Sequence, residues 1–345
     1  MRWQDMYIAA VGSWVPAPSP ARDAVEAGLL DAERFKQLGY ESLCVADDGA
    51  DITAPPDMAV RAGATALARS GLSGRDFRML LHGSLWFQGL DIWPAGSYVA
   101  ARTVGRGVPA LDVQQRCNVG LGAVELAASV LHAAGSGAVM VTTADRFAPP
   151  AVDRWNMHDF NLYGDGGTAL ILSTKGGFAR LLSTATVSDN ALEGQARGDE
   201  PFAAASPAAV APIDLMARAE RYAATADPVQ TSVRIGRVML LARNKALAAA
   251  GVGIGQVARV VTPASGRLKG DYQMHDLLDV PAERTTWDFG RTTGHIGAGD
   301  WALGLEHLVR TRAVAPGDTV LLFGGGAGYT CTAAVVEILD VPELS

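Results

Sequence analysis

Short apolar runs alternate along this chain with stretches of helical periodicity, and the alternation occurs twice. Ala66-Leu67-Ala68 and then Gly71 precede the strand-like Met79-Leu80-Leu81. Ala246-Leu247-Ala248 and then Gly251, at an offset of 180, precede Val260-Val261. A second helix and another apolar strand follow in each half. In the first, Cys117-Asn118-Val119-Gly120-Leu121-Gly122-Ala123 leads through Leu126 and Leu131 to Ala138-Val139-Met140-Val141. In the second, Gly294-His295-Ile296-Gly297-Ala298-Gly299-Asp300 leads through Leu303 and Leu308 to Thr319-Val320-Leu321-Leu322. Apolar runs without alternation are strands covered on both faces, so the pattern predicts an α/β protein of two repeated halves, doubly wound. The boundary is expected near Thr174 to Gly177, giving halves of residues 1–175 and 176–345. From Ser188 to Pro212 periodicity fades and Ala, Pro, Gly and charge dominate, which predicts an exposed excursion or a cap over a site.

The two copies differ where chemistry would need them to differ. Laid Gly120 on Gly297, they place a thiol and an imidazole at neighbouring positions of one helix start, and a pseudo-twofold axis would bring Cys117 and His295 together. The helix dipole at Cys117 favours a thiolate, the nucleophile's form, although a lone cysteine is as often a small buried hydrophobe. Cys44 and Cys331 read as the latter. The glycine-rich lead-in to His295 lets the backbone approach the opposite copy, and the imidazole suits a general base or acid. His82, His132, His158, His275 and His307 share no metal-binding spacing and read as polar contacts or surface residues. Asp300, five residues beyond His295, is about 140° around an ideal helix. It orients the imidazole only if His295 precedes the first helical turn, and is otherwise a charge at the helix N-terminus. Gly324-Gly325-Gly326-Ala327-Gly328-Tyr329 follows a strand and precedes a helix-like Ala333-Ala334-Val335-Val336. Such a loop suits phosphate, though the lysine of a phosphate loop is missing, or the oxyanion of an acyl-transfer intermediate shared with the Cys117 N–H.

At 345 residues and 49% apolar the chain can fill a large core. A net charge of −7 without a basic, aromatic-interleaved patch argues against nucleic acid. The charged N-terminal stretch and the lack of a long apolar run predict a cytoplasmic protein with no membrane partner. Three cysteines without C-x-x-C spacing argue against a disulfide framework or a zinc site.

With Tyr163-Gly164-Asp165-Gly166-Gly167-Thr168-Ala169 and Gly317-Asp318-Thr319 added, the chain resembles the thiolase fold over nearly its whole length, and within it the ketoacyl-acyl carrier protein synthase III family. The resemblance implies a five-layered α-β-α-β-α architecture, a homodimer, a thioester on Cys117, and an oxyanion hole on the backbone of Cys117 and of Gly326 or Ala327. It also implies a pantetheine-borne donor, acyl carrier protein or coenzyme A, and no resident cofactor or metal. Two departures stand out. Thr262-Pro263-Ala264-Ser265-Gly266-Arg267 replaces the family's His-Gln-Ala-Asn, and Gly290-Arg291-Thr292-Thr293 is set against Gly-Asn-Thr-Ser. The lost side chains stabilise the enolate of carbon-carbon condensation.

The motif Gly-His-x-Gly-Ala-Gly-Asp is similar to that of antibiotic-pathway acyltransferases, the group of the pactamycin 6-methylsalicylyl and cervimycin malonyl transferases. It implies Cys117 as nucleophile, His295 as base, Asp300 as its orienter, and a small-molecule hydroxyl or amine as acceptor. No coenzyme A-gripping Trp and Arg are recognisable near Arg34-Phe35-Lys36, which favours a carrier protein. Arg218, Arg221, Arg234, Arg237 and Arg243 offer it positive charge, and Trp86, Phe87, Trp93 or Trp155 could line an aromatic acyl site. Decarboxylative condensation and a non-catalytic carrier-binding subunit are the rival readings.

Overall fold

The computed structural model describes residues 1–49, 51, 54–202, 212–267 and 275–344. Nine strands form one continuous sheet: β1 (Tyr7–Trp14), β2 (Phe77–Gly83), β3 (Ala110–Val113), β4 (Ala138–Asp145), β5 (Gly166–Ser173), β6 (Ala179–Ser188), β7 (Val257–Val261), β8 (Thr319–Gly326) and β9 (Thr330–Ile338). Their order, β3-β2-β4-β5-β1-β6-β9-β8-β7, reads as two similar halves meeting where β1 pairs with β6 through Tyr7–Arg180 and Ile8–Ala179. β2 runs parallel to β4, which is antiparallel to β5, and β5 to β1. In the second half β7 is parallel to β8, which is antiparallel to β9, and β9 to β6. The expected boundary at 175/176 falls in the turn joining β5 to β6.

Five helices matter here: α1 (Pro55–Ser70), α2 (Val119–Ala134), α3 (Pro228–Ala250), α4 (Trp287–Thr293) and α5 (Asp300–Arg310). α1 covers β1, β5 and β4, and α3 covers β6 and β9. α2 and α5 lie between the halves, each touching strands of both, which gives the five layers of the thiolase-like fold. α1 and α3 stop at Gly71 and Gly251, both left-handed, as the two glycines predict. By length and composition Arg116–Ala134 could cross a membrane, but its Leu121, Val124, Ala127 and Leu131 are buried in the main core with Leu305, Leu322 and Val336. Each such side chain contributes about 1.5–3 kcal/mol by leaving water.

Two local expectations change. Ala333-Ala334-Val335-Val336 is strand, in β9, and all four are fully buried. Alanines suit a strand where helices press on both faces, so propensity yields to packing. The second concerns the register of the copies. A 3₁₀ turn opens each central helix, Arg116–Asn118 before α2 and Gly297–Gly299 before α5. Aligned on these turns, Cys117 matches Ala298, and His295 stands ahead of its turn. Repeated glycines in both segments had allowed the sequences to slide by about one helical turn. The close approach is at Gly120, where a Cβ would lie 2.2 Å from Trp301 Nε1 and 2.4 Å from the Ala298 carbonyl oxygen.

Candidate active site

Cys117 is half-buried, while Cys44 and Cys331 are buried, as expected of small core residues. Burial, then the charge of Asp165, pushes the Cys44 thiol up to about 12. The nucleophile turn reverses sharply because Arg116 takes φ 52°, a conformation that costs a residue with a Cβ about 1–3 kcal/mol. Asn118 holds the turn down. Its Nδ2 donates to Gln115 Oε1 (2.6 Å) and Thr332 Oγ1 (2.9 Å), and its Oδ1 accepts from the Thr332 N–H (3.0 Å).

His295 enters from the opposite half. The chain leaves α4 at Gly294 (φ 72°), and residue 295 is then fixed by its N–H to the Leu162 carbonyl (2.9 Å) and by its carbonyl to the Gly164 N–H (3.1 Å). Its Nε2 lies 3.2 Å from Cys117 Sγ and its Nδ1 2.5 Å from Asp300 Oδ2. Asp300 is the first residue of α5 and His295 precedes the turn, so the condition for Asp300 to orient the imidazole is met. The same carboxylate accepts the Ile296 N–H on Oδ1 (2.9 Å) and the Ala264 N–H on Oδ2 (2.8 Å). Burial disfavours the imidazolium, yet the charges of Asp300 and Cys117 and the hydrogen bonds to both hold His295 well above its ordinary value.

The glycine loop closes on the nucleophile. A Cβ at Gly326 would meet the Gln115 carbonyl oxygen at 2.8 Å, the Asn118 nitrogen at 2.9 Å and the Cys117 nitrogen at 3.2 Å. Gly326 therefore lies directly against the Cys117 amide, and Gly326 and Ala327 line the same cavity as the sulfur.

A cavity of about 330 Å³ opens at Cys117 and His295. Of the aromatic candidates only Trp86 lines it. Phe87 is exposed, Trp93 meets Tyr98 edge-on (ring centroids 5.3 Å apart) and Trp155 packs against the Leu38–Tyr40 cluster. Phe147, Phe160, Tyr163, Phe323 and Tyr329 supply the aromatic wall instead. His158, expected to be ordinary, also lines it, on a loop whose Trp155 and His158 carbonyls accept from Arg34. Gln195 and Ala196 bring part of the 188–212 excursion onto the wall, and Ile213 lines it just beyond that segment, although 203–211 lie outside the described residues.

Pro263 and Ser265 occupy the wall where the family's His-Gln-Ala-Asn segment was expected. Arg291, by contrast, turns away to Glu41 (2.9 Å) and the Gly39 carbonyl. The stretch facing the thiol is thus 294–300, not 290–293, and it is the one to set against Gly-Asn-Thr-Ser; glycines in both had made the placement ambiguous. The arginines offered to a carrier are largely engaged: Arg218 with Glu200 (2.7 Å), Arg221 with Asp199 (2.6 Å), Arg234 with Asp189 (2.6 Å), and Arg243 with the Leu278 carbonyl. Arg237 is exposed.

Three residues near the site gave no chemical signal in the sequence. Asp145 is fully buried at the end of β4, accepting the N–H groups of Leu85 (2.8 Å), Trp86 (2.9 Å) and Ala298 (3.4 Å), so it ties the Trp86 loop to the turn after His295. Burial raises it to about 7 against those hydrogen bonds. Tyr163, quoted only for its motif, packs against the imidazole with ring centroids 5.3 Å apart. Asn161 is buried on the cavity wall. An alternating polar residue just before a strand would have been the only hint of it.

The repeated sheets around two central helices, with a cysteine at one helix start and a histidine before the other, define a thiolase-like protein. The profile of 3-Oxoacyl-[acyl-carrier-protein (ACP)] synthase III matches residues 111–190, and that of its C-terminal region matches residues 247–338. The solved structure of ChlB3, described as an acyltransferase, is 33% identical with a TM-score of 0.93, covering 99% of each chain. The beta-ketoacyl-[acyl-carrier-protein] synthase III of Mycobacteroides abscessus is 27% identical over 301 residues, 85% of this chain and 83% of that one. The 3-oxoacyl-[acyl-carrier-protein] synthase III of Aquifex aeolicus, at 19% identity and a TM-score of 0.76 over 96% and 99% of the two chains, shares the fold. The chain belongs to the ketoacyl-acyl carrier protein synthase III family, whose enzymes use acyl carrier protein or coenzyme A thioesters.

Proposed function

We propose that this protein is a non-condensing acyltransferase of antibiotic biosynthesis. It takes an acyl group, aromatic and of the 6-methylsalicylyl kind, from an acyl carrier protein or coenzyme A thioester and passes it to a hydroxyl or amine of a sugar, aminocyclitol or similar acceptor. The observation that carries the reading is the chain Cys117–His295–Asp300, one imidazole between a sulfur and a carboxylate, with Pro263 and Ser265 on the wall where a condensing enzyme of the family carries its His-Gln-Ala-Asn segment. The likeness to ChlB3 supports transfer rather than condensation. Arg34, engaged with the carbonyls of Trp155 and His158, is not available to a nucleotide, which favours a carrier protein as donor.

In the first step the Cys117 sulfur attacks the donor carbonyl, and the N–H groups of Cys117 and the Gly326–Ala327 loop hold the oxyanion. Collapse breaks the donor C–S bond, and the departing pantetheine sulfur takes the proton from His295 Nε2. Acylation also removes the charge on Cys117, one of the influences that hold His295 high. The now neutral ring, kept in place by Asp300, takes the proton of the acceptor as its oxygen or nitrogen attacks the thioester. The new C–O or C–N bond forms, the Cys117 C–S bond breaks, and the charged pair returns. The protein needs no resident cofactor or metal for this, and works as a cytoplasmic homodimer.

Incubation with an acyl carrier thioester should add the acyl mass to the Cys117 peptide, and Cys117→Ala should show neither the adduct nor transfer. Transfer by Cys117→Ala at the parental rate would exclude the covalent route. His295→Ala should accept an activated acyl thioester and stall before the acceptor. The condensing reading rests on the name borne by the 27% identical relative; carbon dioxide released from malonyl thioester with a new carbon-carbon bond in the product would establish it.

A further inference from the structure

Asn161 is 95% buried (5% exposed) on the cavity wall, and its Oδ1 has no hydrogen-bond partner among the described residues. A buried acceptor left unmade costs about 1–3 kcal/mol, so such a group in a binding cavity is normally satisfied by what binds there. The surroundings make the donor a feature of the ligand. Asn161 is flanked on the wall by Phe160 and Tyr163, and the wall continues through Phe147, Val152 and Met157, which form one apolar cluster with Tyr163. The Asn161 amide lies beside the Tyr163 phenol. Burial, and then the charge of Cys117, keep that phenol protonated, so it retains its own O–H. An acceptor and a donor therefore stand side by side where Phe147, Val152, Met157 and Phe160 make the wall apolar, in the cavity that also holds Cys117.

A hydroxyl group matches this pair because it donates and accepts at once. An unsubstituted ring or alkyl chain would fill the same space and leave Asn161 unsatisfied. We propose that Asn161, with Tyr163 beside it, is a specificity-determining residue that reads a hydroxyl on the acyl group carried by Cys117, so that the enzyme selects hydroxylated aromatic acyl donors over their unsubstituted counterparts. This rests on the acyl-transfer reading above and adds to it the substitution that the pocket requires. Sites built to hydrogen-bond a substrate hydroxyl reject the analogue lacking it far more strongly than apolar pockets reject a missing methylene.

The test uses the full-length protein and pantetheine thioesters of benzoate and of 2-, 3- and 4-hydroxybenzoate, with acylation of Cys117 followed by intact mass before any acceptor is added. At least one hydroxybenzoyl donor should acylate the parent about tenfold or more faster than benzoyl. Asn161→Leu should take benzoyl at least as fast as the parent does, with its preference reduced to about twofold or less. Asn161→Ala replaces it if the leucine variant does not fold. Equal rates for benzoyl and all three hydroxybenzoyl donors in the parent, or an undiminished preference in the Asn161 variants, would overturn the inference while leaving acyl transfer intact. Failure of every thioester to acylate Cys117 would instead overturn the acyl-transfer reading and the inference with it. A hydroxyl read on the acceptor rather than on the acyl group would give equal acylation rates, and so counts against it.

Discussion

Asp300 serves three donors with two oxygens: the His295 ring and the N–H groups of Ala264 and Ile296. An asparagine there can accept on one oxygen only and must turn an N–H₂ toward one of those donors. Asp300→Asn should therefore misplace the ring and lower overall transfer by on the order of 10²–10⁴-fold, as in other triads that lose their carboxylate. The direction of the pH effect follows from His295, whose folded value is raised above that of the unfolded chain. Its contribution to stability is fully present below the unfolded value and is lost as pH rises through the folded one. Removing the Asp300 charge lowers the folded value, so the alkaline limb of both thermal stability and Cys117 acylation should move to lower pH in Asp300→Asn. A limb that stays in place in the variant would show that Asp300 is only a helix N-terminal charge. Sequence made Cys117, His295 and Asp300 visible because each is an unusual residue within a glycine-rich helix start. Asn161, Tyr163 and Asp145 were invisible because their roles come from burial and from partners far along the chain.

Among the elements, the turn from β8 into β9 sets the limit on what the nucleophile loop tolerates. All three atoms that a Gly326 Cβ would meet belong to the backbone of residues 115–118, so no side-chain rotation relieves the clash. Gly326→Ala should push the two loops apart, lower Cys117 acylation by about 10²-fold or more, and cost about 1–3 kcal/mol of stability. Two residues away, a Cβ at Gly324 would come no closer than 3.4 Å to Asn118 Oδ1, an ordinary contact. Gly324→Ala should then acylate within a few-fold of the parent, about 1 kcal/mol in barrier or less. Intact-mass acylation rates with thermal melts decide it, and equal behaviour of the two variants would rule out this geometry. The two glycines are indistinguishable in the sequence, since glycine clusters report that some close approach occurs without saying to what. The same ambiguity slid the two copies by a helical turn and set Gly290–Thr293 in the place of 294–300. The strands at 79–81, 138–141, 260–261 and 319–322 and the helix ends at Gly71 and Gly251 were legible, because apolar runs and left-handed glycines are local signals. β9 was not, because its alanines are decided by the layers pressing on it.

The whole molecule ends in two different sheet edges. At one end β7 is bridged by Thr285. At the other, β3 pairs among the described residues with β2 alone and presents an open edge, on which Leu111 is 52% exposed. An open edge strand with apolar neighbours is a liability in a lone subunit and is relieved when a second edge pairs with it. A twofold axis across β3 would let two copies of the same edge meet, each contributing the same patch, and would carry the sheet through the assembly. Cys117 follows Val113 by four residues, so the seam would also back the nucleophile turn from behind. The proposed homodimer should have about twice the 36.0 kDa mass of the chain by light scattering. Leu111→Lys, which puts a charge on the edge, should yield a folded monomer with slower Cys117 acylation, because the turn loses that support. A parent that is monomeric at micromolar concentration, or a Leu111→Lys protein that remains dimeric, would place the interface elsewhere or remove it. A monomeric variant with undiminished acylation would keep the seam but separate it from the chemistry, leaving the Asn118–Thr332 bonds and the Gly326 contact as what holds the sulfur in place.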